Sequence, residues 1–393
     1  MSDAAFALST GLDVLRTMLA ANIPVKLESK PGAGKTSHIN ALFDATNGYL
    51  ETMVAVNHDP TDFGGIPAPA GDKYRLLPGE WAVDLVEAEQ SGNYPITGLF
   101  LDEINTGGRA VLAALLKVVD ERLVGFYRLP QSIRIIMAMN PAEANGGVDL
   151  TPAMANRVAH LPFDFPLASW ATSIATASGF PAPQPIVLLD AAALDDMASS
   201  YAAKVGEYAT SGAITQAKFE EYPEEANLRS GPYPTRRTWT LAARAMAAAE
   251  MLGFTGRVQQ ASVASLVGRK SAELFEDYLD TKSGINPADM LANPTEFPIP
   301  AEDDKLFTAL DRMVNLALNQ WSPGENTSRV SGHSVDAAAT LLRRVGKTRP
   351  GVAASGIRLI ALFVKENREF LSAEVTEAIR EFKPVIEAAG GMM

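Results

Sequence analysis

The sequence of 393 residues contains no cysteine, which excludes disulfide bonds, thiolate zinc sites and cysteine nucleophiles. Histidine is also scarce, and the four residues are His38, His58, His160 and His333. No two of them have the spacing that places two metal ligands on one helix, so a histidine metal site is not expected. No run of 18 apolar residues occurs, and the sequence therefore does not predict a membrane-spanning helix.

Positive charge is in short supply as well. The chain has 34 lysine and arginine residues against 46 aspartate and glutamate residues, for a net charge of −12. Because proteins that coat nucleic acid are usually basic, this balance argues against a nucleic-acid partner. The first residues lack the basic start of a signal peptide, and Asp13 and Arg16 interrupt their apolar stretch. We therefore expect a cytoplasmic protein without a membrane partner.

Apolar runs and helical patterns alternate in residues 1–165, in a chain whose hydrophobic fraction of 47% is typical of folded proteins. Five runs predict strands, and most are continuously apolar, as expected for strands covered on both faces. They are Ile23–Glu28, Thr52–Asn57, Ile96–Asp102, Ile133–Met139 and Val158–Phe163. The helical patterns are Thr36–Thr46, Glu80–Glu89 and Thr106–Val119. The alternation predicts an α/β domain with a five-stranded parallel sheet and helices on both faces.

Residues 58–79 interrupt this alternation with a stretch rich in proline, glycine and aspartate, which we interpret as a functional insertion. From residue 166 onward the strand signal largely vanishes and helices are predicted. They are Asp190–Tyr208, Thr238–Leu252, Val263–Leu279, Glu302–Asn319, Val335–Val345, Val352–Glu369 and Ala373–Ala388, with a further helix start at Asn286-Pro287 and a loop at Ser322–Ser334. A proline-containing stretch at 293–300 divides this part into a helical domain at 166–290 and a C-terminal helical region at 291–393.

The strongest local signal lies between the first predicted strand and the helix that follows it. Ser29-Lys30-Pro31-Gly32-Ala33-Gly34-Lys35-Thr36 matches the P-loop pattern G-x-x-x-x-G-K-[ST], except that Ser29 stands at the first glycine. Glycines let backbone N–H groups turn toward phosphate oxygens, and a helix N-terminus adds partial positive charge. Lys35 can reach the β- and γ-phosphates, and Thr36 can offer its hydroxyl oxygen to Mg²⁺. We expect ATP to bind at Ser29, Lys30, Pro31, Gly32, Ala33, Gly34, Lys35, Thr36 and Ser37.

Two adjacent carboxylates end the third predicted strand. Neighbouring residues of a strand point to opposite sides, so Asp102 and Glu103 can do different work. Asp102 is expected to hold Mg²⁺, and Glu103 to polarise the water that attacks the γ-phosphate. Asn140 directly follows the fourth predicted strand, where a polar side chain is expected to contact the γ-phosphate or that water.

Arginines offset the charge that develops during phosphoryl transfer, and they often come from a neighbouring subunit. Arg157 fits this role because it falls near the end of a short helix that starts at Thr151-Pro152. Arg236 and Arg237 stand at the start of a later helix, from which an arginine can reach back to the phosphates. The residues alone leave open which of the two does so.

Together these residues resemble the AAA+ ATPases, and more narrowly their MoxR-like branch. The runs that carry the resemblance are Asp102-Glu103-Ile104-Asn105, Ala114-Leu115-Leu116-Lys117-Val118-Val119-Asp120-Glu121-Arg122, Met139-Asn140-Pro141 and Thr235-Arg236-Arg237-Thr238-Trp239. The resemblance covers about residues 20–280. Two departures are Ser29 in the P-loop and Asn156, which precedes Arg157 where MoxR-like relatives often have aspartate.

The resemblance implies a ring, usually a hexamer, with ATP at the subunit interfaces. It implies that Arg157 is the finger acting on the neighbour's ATP, Asn140 the first sensor, and Arg237 the second sensor with Arg236 as the other choice. The helical domain would be a lid. The segments Asp59–Gly79 and Glu121–Pro130 would be the branch-specific insertion and hairpin, both facing the pore or the substrate. MoxR-like proteins commonly act with a partner that carries a von Willebrand factor A domain, and they remodel proteins or help insert metals or cofactors.

Three functions are compatible with these residues. The first is an ATP hydrolase that remodels a client protein. The second is a nucleotide-gated binding module with little turnover, which Ser29 and the altered surroundings of Arg157 would favour. The third is a nucleic-acid motor on the same fold, against which the negative net charge argues. A small-molecule kinase fits less well, because the pair of Asp102 and Glu103 suits water as the acceptor.

Overall fold

The computed structural model describes residues 3–141, 148–163, 171, 183–254, 256–283, 286–300, 303–319, 330–366 and 372–388. These residues belong to two compact units. One unit comprises Ala7–Phe254 and Val258–Glu273, and the other comprises Met1–Phe6, Thr255–Arg257 and Leu274–Met393.

The first unit contains a sheet of five parallel strands, as predicted. In chain order the strands are β1 (Val25–Glu28), β2 (Tyr49–Val54), β5 (Thr97–Asp102), β8 (Arg134–Met139) and β9 (Ala159–Pro162). Their order across the sheet is β2-β5-β8-β1-β9, and all neighbouring pairs are parallel. Because the strands run in one direction, their carboxyl ends meet at a single edge, where α/β sheets bind ligands.

Five helices accompany the sheet: α1 (Asp3–Ala21), α2 (Lys35–Ala45), α4 (Glu80–Ser91), α5 (Gly108–Glu121) and the short α6 (Pro152–Ala155). Helix α2 packs very closely on β5. A Cβ atom on Gly98 would lie 2.3 Å from Cζ of Phe43, so a side chain at this position would push the helix away from the sheet. The glycine therefore helps to fix the helix whose first turn follows the predicted P-loop.

The predicted insertion has regular structure that the sequence did not reveal. Residues 55–57 form a 3₁₀ helix, so the predicted strand Thr52–Asn57 was placed three residues too late. After it come α3 (Pro60–Gly64) and an antiparallel hairpin of β3 (Ile66–Ala70) and β4 (Lys73–Leu77). A second hairpin, β6 (Leu123–Val124) and β7 (Tyr127–Arg128), lies where the resemblance placed one.

The two hairpins touch through glycines. Gly65 and Gly125 have positive φ angles of 86° and 60°, a region that side chains rarely adopt. A Cβ atom on Gly65 would lie 3.1 Å from Cα of Gly125, and a Cβ atom on Gly125 would lie 2.9 Å from the carbonyl oxygen of Leu76. The contact is thus close backbone packing that leaves no space for larger residues.

The remaining elements that the structure describes in the first unit are helical. They are α7 (Ala191–Thr210), α8 (Gln216–Phe219), a 3₁₀ helix (Ala226–Ser230), α9 (Arg236–Met251), α10 (Arg257–Val267) and α11 (Arg269–Ser283), which extends into the second unit. Trp239 is buried and stacks on Phe219 at 5.2 Å between ring centroids. The single helix predicted over Val263–Leu279 was wrong, because the chain breaks at Gly268, whose φ angle is 84°.

Five further helices lie in the described part of the second unit. They are α12 (Pro287–Ala292), α13 (Asp303–Asn319), α14 (Val330–Gly346), α15 (Pro350–Glu366) and α16 (Ala373–Ala388). Asn286 caps α12 as predicted, and its side chain accepts a hydrogen bond from N–H of Ala288. The core is formed by small and branched apolar side chains such as Leu310, Val314, Leu342 and Ile357. The predicted domain limits at 165/166 and 290/291 stay predictions. The predicted loop Ser322–Ser334 was wrong at residues 330–334, which are helical, and its residues 322–329 lie outside the described residues. So do residues 367–369 of the predicted helix Val352–Glu369.

Across the described ranges, no helix is long and apolar enough to cross a membrane.

Two buried histidines predict that the fold is sensitive to acid. His38 on α2 is 4% exposed and His160 on β9 is 7% exposed. Burial lowers the pKa of His38 to about 4 and that of His160 to about 3, with nearby Lys26 contributing to the second. Both remain neutral in the folded chain at pH values where the unfolded chain, with histidine pKa values of about 6.5, takes up protons. Their contribution to stability is therefore complete above about pH 6.5 and is lost as the pH falls.

Each histidine is expected to reduce the free energy of unfolding by about 1.4 kcal/mol per pH unit between about pH 6 and 4.5. Urea unfolding at pH 7.5, 6 and 5 measures this slope. The double variant His38→Gln/His160→Gln should have a shallower slope over this range. Equal slopes in the wild type and the double variant would contradict the lowered pKa values of His38 and His160.

Candidate nucleotide-binding site

The loop between β1 and α2 has the backbone shape that a phosphate-binding loop needs. Gly32 and Gly34 have positive φ angles of 79° and 83°, and Gly34 directly precedes the first residue of α2. Among the described residues, nothing lies within 4 Å of the position of a Cβ atom on Gly32. The side chains of Lys30, Pro31 and Ser37 are exposed. The loop therefore presents its backbone and the start of a helix to open space, as anion binding requires.

Lys35 is held at the centre of this loop. Its side chain is 7% exposed, and its Nζ atom donates to the carbonyl oxygen of Ser29 (3.2 Å), to Oγ of Ser29 (2.9 Å) and to Oδ1 of Asn140 (2.9 Å). Burial lowers the pKa of Lys35, and the nearby carboxylates of Asp102 and Glu103 oppose this effect. A partly desolvated ammonium group in this position attracts phosphate more strongly than one in water.

Ser29 has a role that the P-loop pattern does not suggest. The sequence marks it as a departure from the expected glycine, but its hydroxyl oxygen is one of the three acceptors that hold Lys35. Its backbone N–H lies 3.4 Å from the carbonyl oxygen of Met139, on the neighbouring strand β8. The substitution therefore keeps the turn and adds a polar contact to the lysine.

Thr36 and Asp102 meet although 65 residues separate them in the chain. Oγ1 of Thr36 donates to Oδ2 of Asp102 at 2.6 Å, and Oδ1 of Asp102 accepts the N–H of Glu103 at 2.9 Å. Hydroxyl and carboxylate oxygens are the ligands that Mg²⁺ prefers, together with water and phosphate oxygens. The predicted pair thus has the donor atoms and the proximity that a magnesium site beside the loop requires.

Glu103 has an unusual backbone conformation. Its φ angle is 50°, in the left-handed region that side chains other than glycine rarely adopt. The turn is closed by Thr106, whose N–H and hydroxyl both donate to the carbonyl oxygen of Glu103 at 2.9 Å and 2.7 Å. Backbone strain of this kind costs about 1–3 kcal/mol and occurs preferentially at functional sites. The conformation is consistent with the predicted role of Glu103 in positioning water.

Asn140 is 2% exposed and directly follows β8, so its amide oxygen reaches Lys35. Its own carbonyl oxygen accepts a hydrogen bond from Nδ2 of Asn105 at 2.8 Å, and Asn105 is 1% exposed. Asn105 therefore helps to fix the strand end that carries the predicted sensor. The sequence contained a signal for it, since Asn105 closes the run that follows Asp102 and Glu103, but no role was predicted.

Strand β8 lies between β1, which precedes the phosphate loop, and β5, which ends at Asp102. The loop lysine, the acidic strand end and the polar strand tip thus come from three neighbouring strands at one sheet edge. This is an α/β P-loop fold, as the sequence predicts. The phosphate loop lies at the edge of the sheet where α/β folds bind ligands.

The structure brings Arg157 and Arg237 together. Both approach the carboxylate of Asp120, at 2.7 Å and 3.4 Å. Arg236 instead pairs with Glu220 at 2.8 Å, and its side chain is 78% exposed. In the described part of the chain, no hydrogen bond or ion pair joins any of the three arginines to the phosphate loop. The roles of finger and second sensor stay predictions.

No family model matches the chain. Among curated relatives, midasin of Giardia intestinalis is 28% identical over 151 residues, which make up 36% of this chain and 3% of midasin. The chain thus spans a small part of that relative's length.

Two solved structures are similar to parts of this chain. A candidate ATPase from Cytophaga hutchinsonii ATCC 33406 is 16% identical, with a TM-score of 0.41, over 66% of this chain and 80% of its own. The active helicase Cch of SCCmec type IV is 12% identical, with a TM-score of 0.29, over 82% of this chain and 54% of its own. At these values the fold assignment depends on the strand order and the loop geometry of the chain itself.

Proposed function

We propose that this chain is an ATP hydrolase that works with Mg²⁺. One observation carries the proposal: three predicted groups from distant parts of the sequence, Asp102, Glu103 and Asn140, lie beside Lys35 and Thr36 of the phosphate loop. Lys35 contacts Asn140 at 2.9 Å, and Thr36 contacts Asp102 at 2.6 Å, with Glu103 next in the chain. A chance glycine-rich turn would not bring an ammonium group, a hydroxyl, two carboxylates and a buried amide to the same sheet edge.

The division of labour among these groups follows from their chemistry. Lys35 and the N–H groups at the start of α2 bind the phosphates. Thr36 and Asp102 would hold Mg²⁺, which offsets negative charge on the phosphate oxygens. The carboxylate of Glu103 orients the attacking water and accepts its proton, and the amide of Asn140 helps to position that water. Lys35, already partly desolvated, stabilises the charge that develops on the transferred phosphate.

We further propose that the chain assembles into a ring, most simply a hexamer, with ATP at the subunit interfaces. The MoxR-like resemblance supports this assembly, with Arg157 as the finger and Arg237 as the second sensor. The contact of Arg237 with Asp120 supports Arg237 over Arg236, whose guanidinium group extends into solvent beside Glu220.

The work of the ring would be to remodel or activate a client protein in the cytoplasm, chaperone-like, with a von Willebrand factor A domain protein as partner. The two hairpins are the proposed client contacts. Both present large exposed side chains, with Tyr74 at 67% and Phe126 at 71% exposure, and Ile66 and Leu77 are exposed beside them. Exposed aromatic and aliphatic groups on loops are suited to grip an unfolded segment.

One contact favours the second function, a nucleotide-gated binding module. The three N–H groups of Lys35 can all be used by protein acceptors, namely two oxygens of Ser29 and one of Asn140. Binding of a phosphate must replace at least one of them. If that exchange leaves Lys35 poorly placed for catalysis, the chain would bind ATP and assemble with little turnover.

Phosphate release by the wild-type chain tests the proposal. We expect release with Mg-ATP and none above background after chelation of the metal, because Thr36 and Asp102 need the ion to act on phosphate. The mass of the assembly is measured in the same samples. Assembly without phosphate release would favour the binding module. If the chain neither assembled nor released phosphate, both functions would be contradicted.

A further inference from the structure

The carboxylate of Asp120 joins the two predicted catalytic arginines. Asp120 lies in the last turn of α5. Its Oδ2 atom is 2.7 Å from Arg157 and its Oδ1 atom is 3.4 Å from Arg237, so each oxygen holds one guanidinium group. The three residues come from separate elements, and Asp120 is 37 positions from Arg157 and 117 from Arg237 in the chain.

Arg157 is the more firmly held of the two arginines. Its side chain is 21% exposed, and one terminal nitrogen donates to the carbonyl oxygen of Ala153 at 2.5 Å. Its Nε atom is buried and has no hydrogen-bond partner among the described residues. Arg237 is 46% exposed and has a longer contact to Asp120. The hydrogen bond from Arg157 is also the main reason why the pKa of Asp120 is lowered, so the carboxylate stays charged at neutral pH.

The backbone segments that carry the two arginines are also joined. Asn156, which precedes Arg157, accepts a hydrogen bond from Oγ1 of Thr235 at 2.7 Å, just before α9 begins. The hydroxyl of Tyr233 donates to the carbonyl oxygen of Pro152 in α6 at 3.1 Å. The start of α9 is therefore fixed to the short helix that precedes Arg157. Asn156, which departs from the MoxR-like pattern, makes one of the hydrogen bonds that join these two segments.

The charge of the cluster is unbalanced. Two guanidinium groups share one carboxylate, which leaves one positive charge on a partly exposed surface. Paired guanidinium groups suit the recognition of phosphate, because each presents several N–H donors in one plane. Within the described residues, no hydrogen bond or ion pair joins either arginine to the phosphate loop of the same chain. We therefore consider a phosphate bound by a neighbouring copy of the chain as the group that this surface contacts.

We propose that Asp120 is a positioning residue, which holds Arg157 and Arg237 side by side for the ATP bound by a neighbouring copy of this chain. The proposal rests on the proposed ATP hydrolysis. Asp120 touches no reacting atom and acts through the two arginines. Its loss should lower the rate of hydrolysis at the neighbour's site and leave ATP binding at its own site intact.

Asp120→Asn keeps the shape of the side chain and removes its charge. We expect kcat for phosphate release to fall by about 10- to 100-fold, the usual cost of misplaced catalytic groups, with less than about a twofold change in KM. Glu87→Gln is the matched control, since it removes one carboxylate from the exposed side of α4. The control should keep wild-type turnover, and both variants should assemble and unfold like the wild type.

Mixed assemblies separate a positioning role from general damage. Arg157→Ala chains bind ATP but lack a finger, whereas Lys35→Ala chains have both arginines but lack the phosphate-binding lysine. Mixing these two inactive chains is expected to restore turnover, because Lys35→Ala chains supply arginines to their neighbours. The double variant Lys35→Ala/Asp120→Asn should restore about 10-fold less. In contrast, Asp120→Asn chains should be activated when mixed with Lys35→Ala chains, because their own ATP site is intact.

The proposal therefore predicts two different results: Asp120→Asn impairs a chain that supplies arginines to its neighbour, but not a chain whose neighbour supplies them. Equal rescue by Lys35→Ala chains with and without Asp120→Asn would overturn it, as would failure of Asp120→Asn chains to be activated. Absence of phosphate release by the wild type would instead refute the proposed function, and with it the basis of the inference. That result appears before any mixing, so the two failures are distinguishable.

Discussion

Replacing Glu103 by glutamine is expected to lower phosphate release by about 10²- to 10⁴-fold while ATP binding is retained. Glutamine has nearly the shape of glutamate but cannot accept a proton from water. The contacts that define this turn use the backbone of Glu103, which donates to Asp102 and accepts from Thr106. They persist in the variant, as does the φ angle of 50°, so the expected loss is chemical and not structural.

Two measurements check this prediction on the same preparation. Phosphate release gives the rate, and titration with a fluorescent ATP analogue gives the affinity. The variant should also form an ATP-bound assembly of constant mass, which is a means of isolating the client protein. Glu87→Gln, the same chemical change at an exposed position, should behave like the wild type. If Glu103→Gln lost ATP binding as well, Glu103 would have a structural role and not that of a base.

Replacing Lys35 by alanine is expected to weaken ATP binding by about 100-fold or more and to abolish turnover. The change removes a charged donor, and each charge-assisted hydrogen bond to phosphate contributes about 1.5–3 kcal/mol. It also leaves Oγ of Ser29 and Oδ1 of Asn140 without their donor, so the sensor side chain loses its position. The effect is therefore expected on affinity and on catalysis together.

Calorimetric titration with Mg-ATP measures the affinity, and thermal unfolding with and without nucleotide shows whether binding stabilises the fold. The wild type should gain stability from Mg-ATP and Lys35→Ala should not. Lys117→Ala is the matched control, because this lysine is exposed on α5. An unchanged affinity in Lys35→Ala would mean that the phosphate site lies elsewhere.

Local sequence signals were sufficient for much of the fold and for part of the site. Continuous apolar runs located the five strands of the sheet, and the ends of those strands carried Asp102 and Asn140. Parallel strands end at one edge, so their convergence on Lys35 followed from the pattern. The second strand was placed three residues too late, because Ala55 and Val56 are apolar like a strand but belong to a 3₁₀ helix.

Other features depend on contacts between distant parts of the chain, for which the sequence has no local signal. The first hairpin was not predicted because it contains Pro67 and Pro69, and proline normally disfavours strands. In this two-stranded hairpin the free edges tolerate proline. The break of the predicted helix at Gly268 reflects the close approach of Pro232, whose carbonyl oxygen would lie 3.1 Å from an added Cβ atom. Asp120 stood just beyond the predicted helix Thr106–Val119, in a run that carries the MoxR-like resemblance, and its partners became visible only in the fold.

The contact between Gly65 and Gly125 has a mechanical consequence. Because no side chain lies between the two backbones at this contact, a force that moves one hairpin would also move the other. The β6–β7 hairpin continues along the chain into β8, the strand that ends beside Asn140. A force applied at Tyr74 would thus be transmitted through the touching hairpins and β8 toward the side chain of Asn140, which contacts Lys35. Side chains at the two glycines would clash with the facing backbone, so the direct contact between the hairpins would be lost.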